Sequence, residues 1–216
     1  AFLLSGDAIA GVRNGADVLL KSVFVALGGR HGLTVFGAIL FGVGAWFVLR
    51  DRKRNGAIEP RLFFGMGVES LCYALVLGGV ASTLTSLLLG GLSFALAGGG
   101  LQQWGLPTSL MISLGAGLYE ELVFRVLLVS GLALLGTGLL GWSVRASGVM
   151  ATIVGAVIFS AFHYVGPFGD PFQLDSFIFR AVAGLLFSAL YLLRGFGIAA
   201  WSHALYDVIL MLFRAG

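Results

Sequence analysis

Charged residues are scarce in this sequence. Of its 216 residues, 11% are Asp, Glu, Lys or Arg, whereas 58% are hydrophobic and the mean hydropathy is +1.00. Soluble domains carry roughly 25% charged residues, and so small a charged fraction cannot cover a surface that faces water. The composition excludes a soluble globular protein and predicts one that lies mostly within a membrane.

Cysteine is nearly absent as well. A chain with one cysteine, Cys72, has no internal disulfide framework. Cys72 lies in an apolar run, where we expect it to be a small buried residue. The sequence also shows no internal repeat of fixed period and no low-complexity tail. We therefore expect a single integral membrane domain over 1–216.

Glycine, in contrast, is abundant, with 34 residues set among Leu, Val and Phe. Small residues let helices pack closely in lipid. Apolar runs follow one another between short polar breaks, at 33–49, 62–80, 81–97, 109–140, 147–163 and 176–216. We predict an all-α, polytopic transmembrane helical bundle of about six to eight helices, with breaks near Val80, near 136–141 and near Arg194.

Two segments outside these runs carry clustered charge. Residues 1–32 mix acidic and basic side chains with apolar ones at helix-like intervals, which indicates an interfacial segment. A loop at 50–61 holds five basic residues, namely Arg50, Arg52, Lys53, Arg54 and Arg61. The positive-inside bias places this loop in the cytoplasm, with the chain in the plasma (inner) membrane, and explains the cluster more simply than a nucleic-acid partner does.

Three charged residues fall within six positions of one apolar run: Glu120, Glu121 and Arg125. Charges at membrane depth are costly and usually face the interior of the bundle. Glu121 and Arg125 share a helical face and can pair, whereas Glu120 is turned by about 100° and has no local counter-ion. A structural ion pair with a spare glutamate is one interpretation, and a general base at Glu120 is the other.

Two histidines lie in later apolar runs. His163 follows Phe159 by one turn and enters a loop whose two prolines exclude a continuous helix. His203 precedes Asp207 by one turn, and an acid in that position can fix the tautomer and orientation of an imidazole. Each histidine alone indicates a helix–helix hydrogen bond as readily as chemistry. Together with the two glutamates, they predict a polar site.

The strings Glu120-Glu121-x-x-x-Arg125, Phe159-x-x-x-His163 and His203-x-x-x-Asp207 occur in this order on successive apolar helices. They resemble the three motifs of the CPBP family, the CAAX-protease and bacteriocin-processing group also called Abi, which includes the Rce1-type prenyl-protein endopeptidases. Each string alone is a weak signal, but three in order in a polytopic chain are a strong one. The resemblance covers roughly 105–212, which we expect to be the catalytic core.

The resemblance implies an intramembrane glutamic-type endopeptidase that hydrolyses a peptide bond in a membrane-associated or lipidated protein tail. Glu120 and His163 would activate water, His203 would stabilise the oxyanion with the acid four residues later, and the Glu–Arg pair of the first motif would support the site. Many members carry Asn where this chain has Asp207. An ionised Asp cannot donate a hydrogen bond to an oxyanion, so Asp207 must hold a proton or only orient His203.

A metal site is the mechanistic alternative. Glu120, His163 and His203 could supply a two-His, one-Glu zinc set with an open position for water. The His-Glu-x-x-His motif is absent, however, and Ser176 stands where site-2-type membrane metalloproteases have the glycine of Leu-Asp-Gly. We therefore expect no cofactor and keep zinc as the weaker alternative.

Other classes of membrane protein fit the sequence less well. The serine elbow of rhomboid proteases and the ordered aspartate motifs of presenilins are missing. A proton-coupled transporter would be expected to show inverted repeats, and an immunity or scaffold protein of the same fold would be expected to have lost one of the six polar motif residues. We favour the peptidase, with a peptide or protein tail and the lipid bilayer as its partners.

Two further charged residues lie in apolar runs. Glu69 could face the same cavity, but we expect it to form a hydrogen bond between helices. We expect Arg180 to be an interfacial or ion-pairing residue, with Asp175 as a loose candidate partner. Catalysis would require the first glutamate and both histidines to converge within about 3 to 5 Å, or through one water, on a cavity open to an aqueous side.

Overall fold

The computed structural model describes residues 31–56, 59–90, 106–165 and 169–215, so the interfacial segment predicted at 1–32 lies almost entirely outside the described residues. The helices are α1 (Gly32–Asn55), α2 (Pro60–Leu88), α3 (Leu106–Glu121), a π-helical segment (Leu122–Val129), α4 (Ser130–Gly138), α5 (Val144–Phe162), α6 (Leu174–Arg194) and α7 (Phe196–Ala215). The chain runs from α3 to α4 without a break. Counted that way, the described part of the chain contains six helices and no strand, which confirms the predicted all-α bundle.

Turn-forming residues end the helices at two of the predicted breaks. Gly141 lies between α4 and α5 with φ 65°, and Gly195 lies between α6 and α7 with φ 83°, a backbone region that glycine enters at little cost. The Ser143 side chain then accepts a hydrogen bond from the Ala146 backbone N–H at 3.2 Å and caps α5. The breaks near 136–141 and near Arg194 are thus confirmed.

Three local predictions in the first half of the chain are wrong. α2 continues past Val80 to Leu88, because Gly78 and Gly79 keep a helical backbone and no proline follows them in the helix. The segment 50–61 is mostly helical, since α1 extends to Asn55 and α2 begins at Pro60, which suits the first turn of a helix. Cys72 is exposed, not buried.

The surface of the bundle is apolar, and many of its buried residues are small or carry a hydroxyl group. Four helices, α2, α5, α6 and α7, are long and apolar enough to cross a membrane. Large side chains such as Phe63, Leu87, Leu134 and Leu193 are exposed, whereas eight hydroxyl side chains are buried: Ser70, Thr85, Ser113, Ser147, Ser160, Ser176, Ser188 and Ser202. Small buried residues permit close helix packing and exposed apolar ones suit lipid, as expected of an integral membrane protein.

α5 and α6 pack against each other in opposite directions. The Ser160 hydroxyl near the end of α5 donates to the Phe177 carbonyl near the start of α6 at 2.6 Å. Further along, Gly184 of α6 lies against Ala156 of α5. The end of α5, where His163 lies, is therefore at the same end of the bundle as the start of α6.

α2 lies antiparallel to α6 and parallel to α7. Glu69 in the first half of α2 binds Arg194 at the end of α6 through two hydrogen bonds of 2.6 and 2.8 Å, the interhelical contact predicted for Glu69. Gly197 at the start of α7 lies beside Met66, and Tyr206 further along lies against Gly78. The starts of α2 and α7 thus share one end of the bundle with Arg194.

The closest approach that builds the site is between α3 and α7. At Gly117 of α3, a Cβ atom would lie 2.6 Å from the Ala200 carbonyl oxygen and 2.6 Å from the Ala204 backbone nitrogen of α7. No side chain fits at that distance, so glycine is required here. This contact sets the separation between the helix that carries the two glutamates and the helix that carries His203.

Replacing Gly117 with Ala should separate these two helices and destabilise the fold. We expect Gly117→Ala to lower the free energy of unfolding by about 1 to 3 kcal/mol relative to Gly115→Ala. Gly115 lies two residues away, and a Cβ atom there would meet the Tyr119 side chain at an ordinary contact distance of 4.0 Å, so its variant controls for the higher helix propensity of Ala. Thermal unfolding in detergent measures both variants, and equal stabilities would contradict the prediction.

Candidate active site

Two histidine side chains from different parts of the bundle approach the carboxylate of Glu120. Glu120 lies in the last turn of α3, His163 directly follows α5, and His203 lies in the second turn of α7. The Glu120 Oε2 atom is 3.9 Å from Nε2 of His163 and 3.8 Å from Nε2 of His203. The predicted convergence within about 3 to 5 Å is present in the structure. These gaps exceed a direct hydrogen bond and suit a bridging water or a substrate atom.

The other ring nitrogen of each histidine is held by an acceptor. Nδ1 of His203 is 2.8 Å from Oε1 of Glu121, and Nδ1 of His163 is 2.9 Å from the Phe159 carbonyl oxygen. A carboxylate beside a guanidinium and a carbonyl oxygen both accept hydrogen bonds, so both imidazoles carry a proton on Nδ1. Both Nε2 atoms consequently face Glu120 and are free to exchange protons there.

A buried ion pair lies beneath this pair of histidines. Oε2 of Glu121 is 3.1 Å from Nε of Arg125, and both side chains are almost completely buried. The Arg125 guanidinium also lies 4.5 Å from the centre of the Phe159 ring and 5.8 Å from that of Phe187, in cation–π geometry. The predicted pairing of Glu121 with Arg125 is present, and the same carboxylate also binds His203 through its second oxygen.

The helix changes geometry where these charges lie. Glu121 ends α3, and the next eight residues, including Arg125, form the π-helical segment. The Ser130 hydroxyl donates to the Arg125 carbonyl at 3.2 Å, one π-helical repeat further along. Short π-helical segments occur most often at functional sites. The sequence predicts a uniform α-helix here, because no residue in 122–129 signals the change.

Aromatic rings fix the planes of the two imidazoles. The ring of His203 is stacked on that of Phe187, with centres 4.8 Å apart and an angle of 22°. The ring of His163 meets Phe159 edge to face at 4.9 Å. Phe187 was not among the predicted site residues, because it is one of many phenylalanines on apolar helices and only the packing of α6 against α7 brings it to His203.

The Asp207 carboxylate lies beside the Nε2 atom of His203. Its Oδ2 atom is 3.8 Å from Nε2 of His203, the same nitrogen that faces Glu120. The carboxylate that hydrogen-bonds to His203 and orients it is therefore Glu121, from another helix, and not the acid one turn away that the sequence suggested. Asp207 therefore lies, like Glu120, on the Nε2 side of the His203 ring.

The other two charged residues predicted in apolar runs, Arg180 and Glu69, form ion pairs outside the site. Arg180 binds Asp170 at 2.5 Å, not the predicted Asp175, because the loop before α6 folds back over that helix. The Asp170 backbone N–H donates to the His163 carbonyl at 2.8 Å, so this loop is joined directly to a site residue. Glu69 pairs with Arg194 near the other end of α6 and does not reach the site.

The distances from Glu120 to His163 and His203 can be compared with those between the ligands of a zinc ion. Ligands of a tetrahedral zinc ion are about 3.4 Å apart, and the two separations at Glu120 are 3.8 and 3.9 Å. Within the described ranges, no three His, Cys, Asp or Glu side chains are grouped to hold a metal ion. Binding zinc would draw these groups together, and sensitivity to a chelator remains the direct test.

The two adjacent glutamates should differ in their contribution to stability. Glu121→Gln leaves the buried Arg125 without its counter-ion, and we expect a loss of about 3 kcal/mol in the free energy of unfolding. Glu120→Gln makes the same change at a carboxylate that lies 3.8 and 3.9 Å from its two histidine neighbours, and it should cost far less. Unfolding of both variants in detergent compares them directly. Equal losses in the free energy of unfolding would contradict the prediction that the Glu121–Arg125 pair stabilises the fold.

Comparison with known proteins identifies the family. The family model for type II CAAX prenyl endopeptidases, Rce1-like, matches residues 102–209, which is half of the chain and includes all six motif residues. No curated protein and no solved structure matches the chain. With its apolar membrane-spanning helices and its buried Glu–His site, this integral membrane protein belongs to the Rce1-like family of type II CAAX prenyl endopeptidases.

Proposed function

We propose that this chain is an intramembrane endopeptidase of the glutamic type that hydrolyses a peptide bond in the tail of a membrane-associated protein, lipidated tails included. One observation carries the proposal. A buried carboxylate, that of Glu120, lies within 4 Å of two imidazole nitrogens that each face it. A carboxylate and two imidazoles can accept, hold and return a proton, which is what hydrolysis of an amide requires.

The first step is activation of water between Glu120 and His163. A water in the 3.9 Å gap donates one hydrogen to Oε2 of Glu120 and the other to Nε2 of His163. Its oxygen then attacks the carbonyl carbon of the substrate while Glu120 takes the proton. The Phe159 carbonyl keeps the Nδ1 proton of His163 in place, so that Nε2 presents its lone pair to the water.

The second step needs donors for the oxyanion. His203 in its imidazolium form donates from Nε2 while Nδ1 donates to Glu121, whose negative charge balances it. Asp207, holding its proton, supplies a second donor beside the first. Glu120 finally passes its proton to the leaving amine as the carbon–nitrogen bond breaks, which releases a carboxylic acid and an amine and restores the site.

The groups around the site support the residues that would contact the substrate. Arg125 keeps Glu121 ionised and correctly placed for His203, without contacting substrate. No cofactor and no nucleic acid are needed. The basic residues at the end of α1 would lie among lipid headgroups on the cytoplasmic side of a plasma membrane. We keep 1–216 as one membrane domain with 105–212 as its catalytic core.

Glu120→Gln should abolish most peptide cleavage. Because general base catalysis contributes about 10²- to 10⁴-fold, we expect kcat to fall by that factor. The measurement is cleavage of C-terminal and signal-like peptides by purified protein in lipid, with and without a chelator. Glu59→Gln is the matched control, because Glu59 is exposed and paired with Arg61 outside the site.

The outcomes separate the alternatives. Cleavage that is lost in Glu120→Gln, retained in Glu59→Gln and unaffected by the chelator supports glutamate catalysis. Cleavage that the chelator abolishes would replace it with zinc chemistry. If the wild type cleaves none of the peptides, the proposal fails in favour of an immunity, scaffold or transport role for the same fold.

Replacing Asp207 tests the second oxyanion donor. An amide donates a hydrogen bond at any pH, so Asp207→Asn should keep kcat/KM within about threefold, whereas Asp207→Leu should lose about 10²-fold. The wild type depends on a proton that leaves as pH rises, so its activity should fall on the alkaline side earlier than that of Asp207→Asn. Rate profiles over pH measure this, and superimposable alkaline limbs would contradict the role of Asp207.

A further inference from the structure

A chain of two hydroxyl groups connects α6 to the backbone of Arg125. The Ser130 hydroxyl donates to the Arg125 carbonyl at 3.2 Å, and the hydroxyl oxygen of Tyr191 lies 3.0 Å from that of Ser130. Ser130 has a single hydroxyl hydrogen and gives it to a carbonyl that can only accept, so Tyr191 is the donor to Ser130. The hydrogen bonds thus run in one direction, from Tyr191 to Ser130 and from Ser130 to Arg125.

The Arg125 carbonyl accepts two hydrogen bonds from Ser130. Besides the hydroxyl, the Ser130 backbone N–H donates to it, which is the five-residue spacing of a π-helix. In an α-helix the N–H of Val129 would be the donor instead. Ser130 therefore holds this turn in its π-helical register. Hydrogen bonds in series strengthen one another in a low-dielectric interior, so the Tyr191 hydroxyl reinforces the bond that Ser130 makes.

Tyr191 belongs to a part of α6 that is itself held in place. It packs against the buried apolar cluster that the end of α6 forms with the start of α7. Arg194, three residues further on, binds Glu69 of α2 through hydrogen bonds of 2.6 and 2.8 Å. Contacts with two other helices therefore fix the position from which the Tyr191 hydroxyl reaches Ser130.

The same face of α6 also contacts the site directly. Phe187 lies one turn before Tyr191 and stacks on the ring of His203. The centre of the Phe187 ring is 5.8 Å from the Arg125 guanidinium. α6 thus holds the backbone of Arg125 through Tyr191 and contacts its side chain through Phe187. The guanidinium pairs with Glu121, and Glu121 binds Nδ1 of His203, so a rotation of Arg125 would displace the imidazole.

We propose that Tyr191 is a positioning residue of the active site and acts through the Ser130 hydroxyl. It keeps Arg125 in the π-helical register, in which the guanidinium meets Glu121 and Glu121 orients His203. Neither Tyr191 nor Ser130 belongs to the three motif strings. The effect of these hydroxyls on the rate rests on the proposed peptidase function, whereas their effect on the His203 ring does not.

Kinetics of peptide cleavage test the effect on the rate. Tyr191→Phe removes one hydroxyl of the chain and Ser130→Ala removes the other. We expect each variant to lower kcat about tenfold and to leave KM within about twofold, because the reacting groups are displaced while substrate binding is kept. Since the two hydroxyls act in series, the double variant should lose little more than the worse single variant. Ser130→Thr keeps a hydroxyl and should restore most of the activity.

Two control variants make the same chemical changes outside this chain of hydroxyls. Thr137→Ala removes a hydroxyl that donates to backbone carbonyls within α4, the helix that begins at Ser130. Tyr73→Phe removes a phenolic hydroxyl beside the same apolar cluster that Tyr191 packs against. Both variants should keep kcat near the wild-type value. Equal losses in the controls, or losses that multiply in the double variant, would overturn the proposal.

Nitrogen NMR of the histidine rings tests the effect on His203 without catalysis. The chain has three histidines, so isotope-labelled histidine gives few enough ring signals to assign with His31→Gln and His163→Gln. We expect the His203 signals to shift in both single variants of the hydroxyl chain and to stay unchanged in both controls. Unshifted His203 signals would overturn the proposal. If they shift while the wild type cleaves no peptide, the peptidase function fails and the positioning role stands.

Discussion

The site depends on one carboxylate that is shared between an arginine and a histidine. Glu121 is completely buried and binds Arg125 through one oxygen and His203 through the other. A buried carboxylate is tolerated only when a nearby group balances its charge. Because Arg125 and His203 come from different parts of the chain, this single group joins the π-helical segment to α7. It also fixes the Nδ1 proton of His203, so that Nε2 faces Glu120.

Packing of small residues makes that arrangement possible. In lipid, apolar side chains gain nothing by leaving the surface, so the interior can be built from Ser, Ala and Gly and the helices can approach closely. Gly117 permits the contact between α3 and α7 that brings Glu121 within 2.8 Å of His203. Glycine at Gly117 therefore allows the close helix packing that brings the buried charged groups together.

The sequence predicts which residues meet, but not which atoms. Charges in apolar runs usually face the interior, and the resemblance to three motifs of one catalytic site predicted that Glu120, His163 and His203 converge. Helical periodicity favoured the acid one turn from His203 as its partner, and tertiary packing supplied Glu121 instead. Likewise Arg180 binds Asp170 and not Asp175. Asp170 lies in a proline-containing loop, and helical periodicity does not predict how such a loop folds. Local patterns cannot specify such contacts.

The π-helical segment sets the register between the two glutamates and the rest of the helix. Its hydrogen bonds join each N–H to the fifth carbonyl before it, where an α-helix uses the fourth. A variant that lacks one residue between Leu122 and Val129 would shift the register of everything that follows. Every residue beyond the deletion would then rotate by about 100° around the helix axis. The contact of Val129 with Gly155 would be lost while the two glutamates stayed in place. The length of this segment is thus as much a determinant of the site as the identity of its charged residues.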